Sequence, residues 1–188
     1  MVDPKNVTNY TRSDYELQEF MLFCISVAGK TASQIAIALQ RFLDSNINPG
    51  ELPFDMIYRL KRDGRLFDAI VASKLGQWNK LYWAFTEIAV FPAPDIRVAP
   101  VSDLEEVRGI SFKTSRFFVV HSRPNVNYAV LDTHVLKWLG ELGYDVPNHT
   151  PTGNKYLKLE RCFLAEARKR NKSPANLDLE VWVSYARV

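Results

Sequence analysis

Two early segments, YELQEFMLFCISV (residues 15–27) and ASQIAIALQRFL (32–43), carry apolar side chains at three- and four-residue spacing. That period belongs to one face of a helix and limits the fold more than any single motif does. The two meet at Ala28-Gly29-Lys30, a natural break. More helix is expected from Pro53 to Phe91, interrupted at Asp63-Gly64 and near Gly76. PAPDIRVAP (92–100) cannot continue it, because proline lacks an amide proton and restricts the residue before it. A short helix capped by Ser102 or Asp103 then runs to Val107, another opens at Lys113, and a third starts at Asp132 and ends near Leu142. Two last helices cover 155–169 and 177–186, and no segment keeps the alternation of a strand. The expectation is an all-α fold, a two-lobed helical bundle with a cleft between lobes. The proline connector is its hinge, separating approximate lobes 31–100 and 101–188, with the N-terminal helix added.

A chain of 188 residues is long enough for one such unit and short for two independent domains. Hydrophobic residues make up 47% and charged ones 24%, which excludes disorder and leaves no run long enough for a membrane span. MVDPKNVTNYTRSDYE at the N-terminus has no apolar signal core, so an intracellular, cytoplasmic location is expected, with no membrane partner. Cys24 and Cys162 are too few for an iron–sulfur cluster and read as free thiols in apolar helices. His121, His134 and His149 form neither HxxxH nor HExxH. No metal and no cofactor are therefore expected. The net charge of +3 permits contact with a polyanion without requiring it. AGKT (28–31) lacks the earlier glycine of a phosphate-binding P-loop, since position 24 is cysteine. ARKRNK (167–172) reads as a solvated basic helix end that complements the helix dipole.

The chemistry concentrates in VRGISFKTSRFF (107–118) and YAVLDTHVLKWL (128–139). A short helix, a tight turn over Gly109-Ile110-Ser111-Phe112 and a second helix would make a helix–hairpin–helix over 103–121. Backbone amides at such a turn point outward and hold a phosphate oxygen without reading sequence. Glycine at 109 lets the backbone approach closely and take positive φ. An ordinary helical corner fits the turn equally well. Lys113 and Asp132, each at a helix start, would bring an amine and a carboxylate to one cleft if their elements pack together. Without that packing they are surface charges and caps.

Together these residues resemble the helix–hairpin–helix DNA glycosylases, the group that includes endonuclease III and the 8-oxoguanine DNA glycosylases. Their hairpin typically reads LPGVGxKTA and their later motif VDTHV or VDTHI; this chain has VRGISFKTS and LDTHV. KYLKLERCFLAEARKR followed by LDLEVWVSY is similar to the tail of the compact prokaryotic 8-oxoguanine DNA glycosylases, which also lack the iron–sulfur cluster. The resemblance implies Lys113 as catalytic lysine, Asp132 as catalytic aspartate, and Gly109, Ser111 and Phe112 as the phosphate-binding turn. It also implies Trp182 packed against the damaged base, and Lys30 in a loop that wedges into the duplex. The implied activity is bifunctional: removal of an oxidised purine, 8-oxoguanine first, then strand cleavage as an AP lyase. Double-stranded DNA containing a damaged base would be the partner, the protein a monomer and its place the nucleoid. Two departures stand out. Ser111 replaces the second hairpin glycine, and Ala186-Arg187-Val188 stand where the compact group usually has a final lysine. A glycosylase for another damaged base, or a non-catalytic helix–hairpin–helix DNA-binding protein, are the alternatives.

Overall fold

Residues 1–91 and 95–185 are described by a computed structural model. Part of the expected hinge at 92–100, and the C-terminal departure at 186–188, lie outside the described residues. The described residues are helical with no strand, so the fold is all-α. In chain order the helices are α1 (Asp14–Ser26), α2 (Ala32–Asn46), α3 (Pro53–Arg62), α4 (Leu66–Ala72) and α5 (Trp78–Ala89). They continue with α6 (Val101–Glu106), α7 (Phe112–Ser122), α8 (Thr133–Glu141), α9 (Gly153–Lys169) and α10 (Pro174–Tyr185).

Local chemistry sets several of these boundaries. At the start of α1, Glu16 N donates to Ser13 Oγ at 3.3 Å and Ser13 N to Glu16 Oε2 at 2.8 Å, a reciprocal capping box. α3 opens on Pro53, whose missing amide proton costs nothing at a first helical position. α6 begins at Val101 behind Pro100, so Ser102 and Asp103 lie in its first turn instead of capping it. α10 begins three residues before the expected 177, because Ser173 accepts the amide of Asn176 at 3.2 Å and Pro174 is suited to a first turn.

The chain divides into two units. The first takes Met1–Val7 and Thr11–Ile110 and holds α1 to α6; the proline-rich connector joins elements within it. In α1 every residue from Phe20 to Ile25 is buried, the pattern of a helix surrounded on all sides. Helices α2, α3 and α5 pack against it. α5 buries Leu81, Ala84, Phe85 and Ile88 on one stripe, and Phe85 meets Phe42 of α2 with ring centroids 5.7 Å apart.

The second unit takes Thr8–Tyr10 and Ser111–Val188. Its core joins Leu131, Val135, Leu136, Leu139, Tyr156, Phe163, Leu177 and Val181. The segment leading into α8 is neither helix nor strand, so its buried backbone groups need other partners. Glu160 Oε1 accepts Ala129 N at 2.9 Å and also Arg116 Nε at 2.9 Å. Tyr156 Oη donates to Ala129 O at 2.8 Å and accepts Leu131 N at 3.1 Å, while Thr150 Oγ1 donates to Leu131 O at 3.1 Å. Three distant side chains thus hold the strap that ends at Asp132. No helix among the described residues is long and apolar enough to cross a membrane.

Candidate active site

The turn between α6 and α7 is shaped by Gly109. Its φ is +89°, and a Cβ there would stand 2.9 Å from the Cβ of Ala84 on α5. Both backbone conformation and space exclude a side chain. We expect Gly109→Ala to destabilise the protein by about 2 kcal/mol. A fall in Tm of about 4–8 °C in thermal melts checks this for a chain of this size. Ser111 has φ −93°, ordinary for any residue, and is the N-cap of α7. Its Oγ accepts Thr114 N at 3.3 Å and lies 3.1 Å from Thr114 Oγ1. A second glycine is unnecessary at this position; serine stabilises the helix start instead. The new helix opens at Phe112, one residue ahead of the expected Lys113.

Amides in this turn differ in how they are satisfied. Arg108 N donates to Glu87 Oε2 at 2.7 Å and Ile110 N to Val107 O at 3.0 Å. The amides of Gly109, Ser111 and Phe112 have no acceptor among the described residues. The half-buried ring of Phe112 packs against the core, 5.5 Å from that of Tyr156.

Lys113 lies in the first turn of α7, partly buried, with Nζ 5.3 Å from the centroid of Phe117 one turn on. It forms no ion pair within 4.0 Å among the described residues. Asp132 caps α8, its Oδ1 accepting Val135 N at 2.8 Å. Burial pushes its carboxyl above the ordinary aspartate range, and the charge of Asp178 pushes it the same way. The Val135 amide, Lys113 and His134 act in the opposite direction. Lys113 and Asp132 thus sense one another electrostatically within the second unit, without direct pairing.

α10 packs on both α7 and α8 and brings two more groups to this unit. Trp182 is half-buried on α10 and is not among the side chains packed on the core around Leu139 and Phe163, whereas Trp138 is. Asp178, one turn before Trp182, is buried, and its Oδ2 lies 3.0 Å from Nε2 of the fully buried His121. His121 Nδ1 lies 2.7 Å from Thr8 Oγ1. Spacing does not single out Asp178, which is one of two acidic residues in the stretch LDLEVW. Lys30 is exposed between α1 and α2 in the first unit, where its Nζ would stand 3.6 Å from a Cβ placed on Gly76. Within the basic run at 167–172, Lys169 and Arg170 pair with Glu166, and Lys172 pairs with Glu180. No group of three or more metal-ligating side chains occurs among the described residues.

With this geometry in hand, comparison with known proteins gives a partial likeness. No protein-family model matches the chain, and no solved structure does. Over 79 residues, 42% of this chain, it is 29% identical to a curated protein of Picrophilus torridus named 8-oxoguanine DNA glycosylase/AP lyase. The matched stretch spans 37% of that protein's length.

Proposed function

We propose that the protein is a base-excision DNA glycosylase with AP-lyase activity, acting on an oxidised purine, 8-oxoguanine first. The observation that carries this reading is the presence inside one unit of an amine with no carboxylate partner among the described residues, Lys113, and a half-buried, helix-capping carboxylate whose pKa is raised, Asp132. The partial likeness to a protein named for this activity supports it.

The glycosidic carbon of a stacked base is out of reach, so the target nucleotide must leave the helix; unstacking costs a few kcal/mol, least for a damaged base. The amides of Gly109, Ser111 and Phe112, which have no acceptor among the described residues, are donors for a flanking phosphate. The neutral amine of Lys113 attacks C1′, the C1′–N9 bond breaks, and the base departs with the bonding electrons and takes up a proton. A carbon–nitrogen double bond then forms between C1′ and Nζ as the sugar ring opens. It acidifies the proton on C2′, whose loss expels the 3′ phosphate by β-elimination. Asp132 is suited to two tasks. As an anion it stabilises positive charge developing on the sugar, and its raised pKa favours proton exchange near neutrality over that of an ordinary aspartate. Trp182, half-buried and outside the core, offers a flat face to the extruded base.

A panel of duplexes tests this reading. Each carries a single 8-oxoguanine, another oxidised base, uracil or an abasic site, and is scored separately for base release and strand nicking. Release of 8-oxoguanine with nicking, and nicking of the abasic duplex, is the expected result. DNA binding with no release from any lesion would replace it with a non-catalytic backbone-binding module.

A further inference from the structure

Away from the candidate catalytic residues, the first unit carries an exposed cluster that alternates rings and cations. Phe67 of α4 and Trp83 of α5 are 38% and 44% exposed. Tyr82 lies between them, with ring centroids 6.0 Å from Phe67 and 5.3 Å from Trp83, both edge-on. Lys61 Nζ sits 4.2 Å from the Tyr82 centroid and 5.7 Å from that of Trp83, and it contacts the Tyr82 hydroxyl. Arg108 holds its guanidinium carbon 4.8 Å from the Trp83 centroid.

Charge compensation is uneven across this cluster. Arg108 is 3.4 Å from Glu87, but neither Lys61 nor the exposed Arg65 has a carboxylate partner among the described residues. Among the described residues the Lys61 ammonium is in contact with aromatic rings and a phenol. Lys61 against these rings, and the exposed Arg65 two residues before Phe67 in the chain, put cations next to exposed aromatic side chains, which fits a polymer that supplies phosphates and flat bases at short, regular intervals. A closed duplex cannot use the rings, because its bases are already stacked; an unpaired strand can.

We infer that the surface of Lys61, Arg65, Phe67, Tyr82, Trp83 and Arg108 binds unpaired DNA. Lys61 and Arg65 take the phosphates, and Trp83 and Phe67 stack the bases. The choice of DNA rests on the proposed function; the geometry concerns the unpaired strand. Arg108 directly precedes Gly109, so the surface continues in sequence into the turn offered to a phosphate. Such a surface retains the enzyme beside unpaired or nicked stretches, including the products of its own lyase step.

The test uses the full chain and a fluorescein-labelled oligothymidine of about a dozen nucleotides, followed by anisotropy at low salt. Trp83→Ala and Arg65→Gln, both at exposed positions, should each weaken binding by about tenfold. An iodouracil-substituted strand should cross-link to the peptide containing Trp83. Excision of a lesion from a fully paired duplex, measured in parallel, should stay within about twofold of wild type for both variants. Oligothymidine binding that both variants leave intact, cross-linking confined to other peptides, or a preference for oligouridine over oligothymidine would each overturn the inference. The two readings fail separately. Excision without effect of these variants on strand binding removes the surface alone, and Trp83-dependent strand binding without excision removes the glycosylase alone.

Discussion

Lys113→Gln should abolish base release from an 8-oxoguanine duplex, with a fall of at least about a thousandfold in the single-turnover rate, while leaving the fold intact. Glutamine is one atom shorter than lysine and stays polar at this half-buried position, but it loses the ammonium–ring contact with Phe117 and its amide nitrogen is no nucleophile. Because Lys113 holds no ion pair within 4.0 Å among the described residues, its loss breaks no salt bridge there. The stability change should lie within about 0.5 kcal/mol, as for other partly exposed positions free of such features. Rate and thermal melt must be read together. A lost rate with an unchanged Tm is the expected pair; a retained rate would remove Lys113 from the chemistry.

Asp132→Asn should separate activity from stability in opposite directions. Asparagine caps a helix about as well as aspartate, so the bond from Val135 survives. What disappears is a half-buried negative charge, disfavoured by desolvation and by the charge of Asp178. The folded-state pKa of Asp132 is raised, so the native protein binds a proton more readily than the unfolded chain does. The wild type therefore loses stability as pH climbs from the ordinary aspartate value through the raised one, and no more above it. The variant escapes that loss. The two should melt together in acid, below the unfolded pKa, and the variant should melt higher at neutral pH, by about 2–4 °C for each kcal/mol of relief. Base release should meanwhile drop by about a hundredfold or more. A variant less stable than wild type at neutral pH would mean that the charge is welcome in the fold, which contradicts the environment described for Asp132.

Much of this was legible before the structure, and the limits follow from range. Helix periods and their breaks depend on neighbours three or four residues away, so α2, α5 and α8 appear in the sequence close to where they stand. Asp132 as a cap is equally local. α10 was expected late because its start is written in capping chemistry at 173 and 174, ahead of the apolar pattern. Ser111 looked like a defect in a glycine pattern, yet its negative φ and its bond from Thr114 make it an ordinary N-cap. The remainder is long-range. Glu160 and Tyr156 fix the strap before Asp132 from about thirty residues away, and Thr8, His121 and Asp178 meet from three separate parts of the chain. Their role is set by burial, which demands partners for every polar group and leaves no periodic trace.

The central claim is that the nitrogen of Lys113 becomes covalently bound to the sugar. Borohydride added during turnover of an 8-oxoguanine duplex reduces a carbon–nitrogen double bond to a stable amine, and tandem mass spectrometry of the digested adduct then locates it. The account predicts one adduct, carried by the peptide containing Lys113 and absent from the Lys113→Gln protein. An adduct on the N-terminal amine or on another lysine, or base release with no trapped species at all, would contradict it.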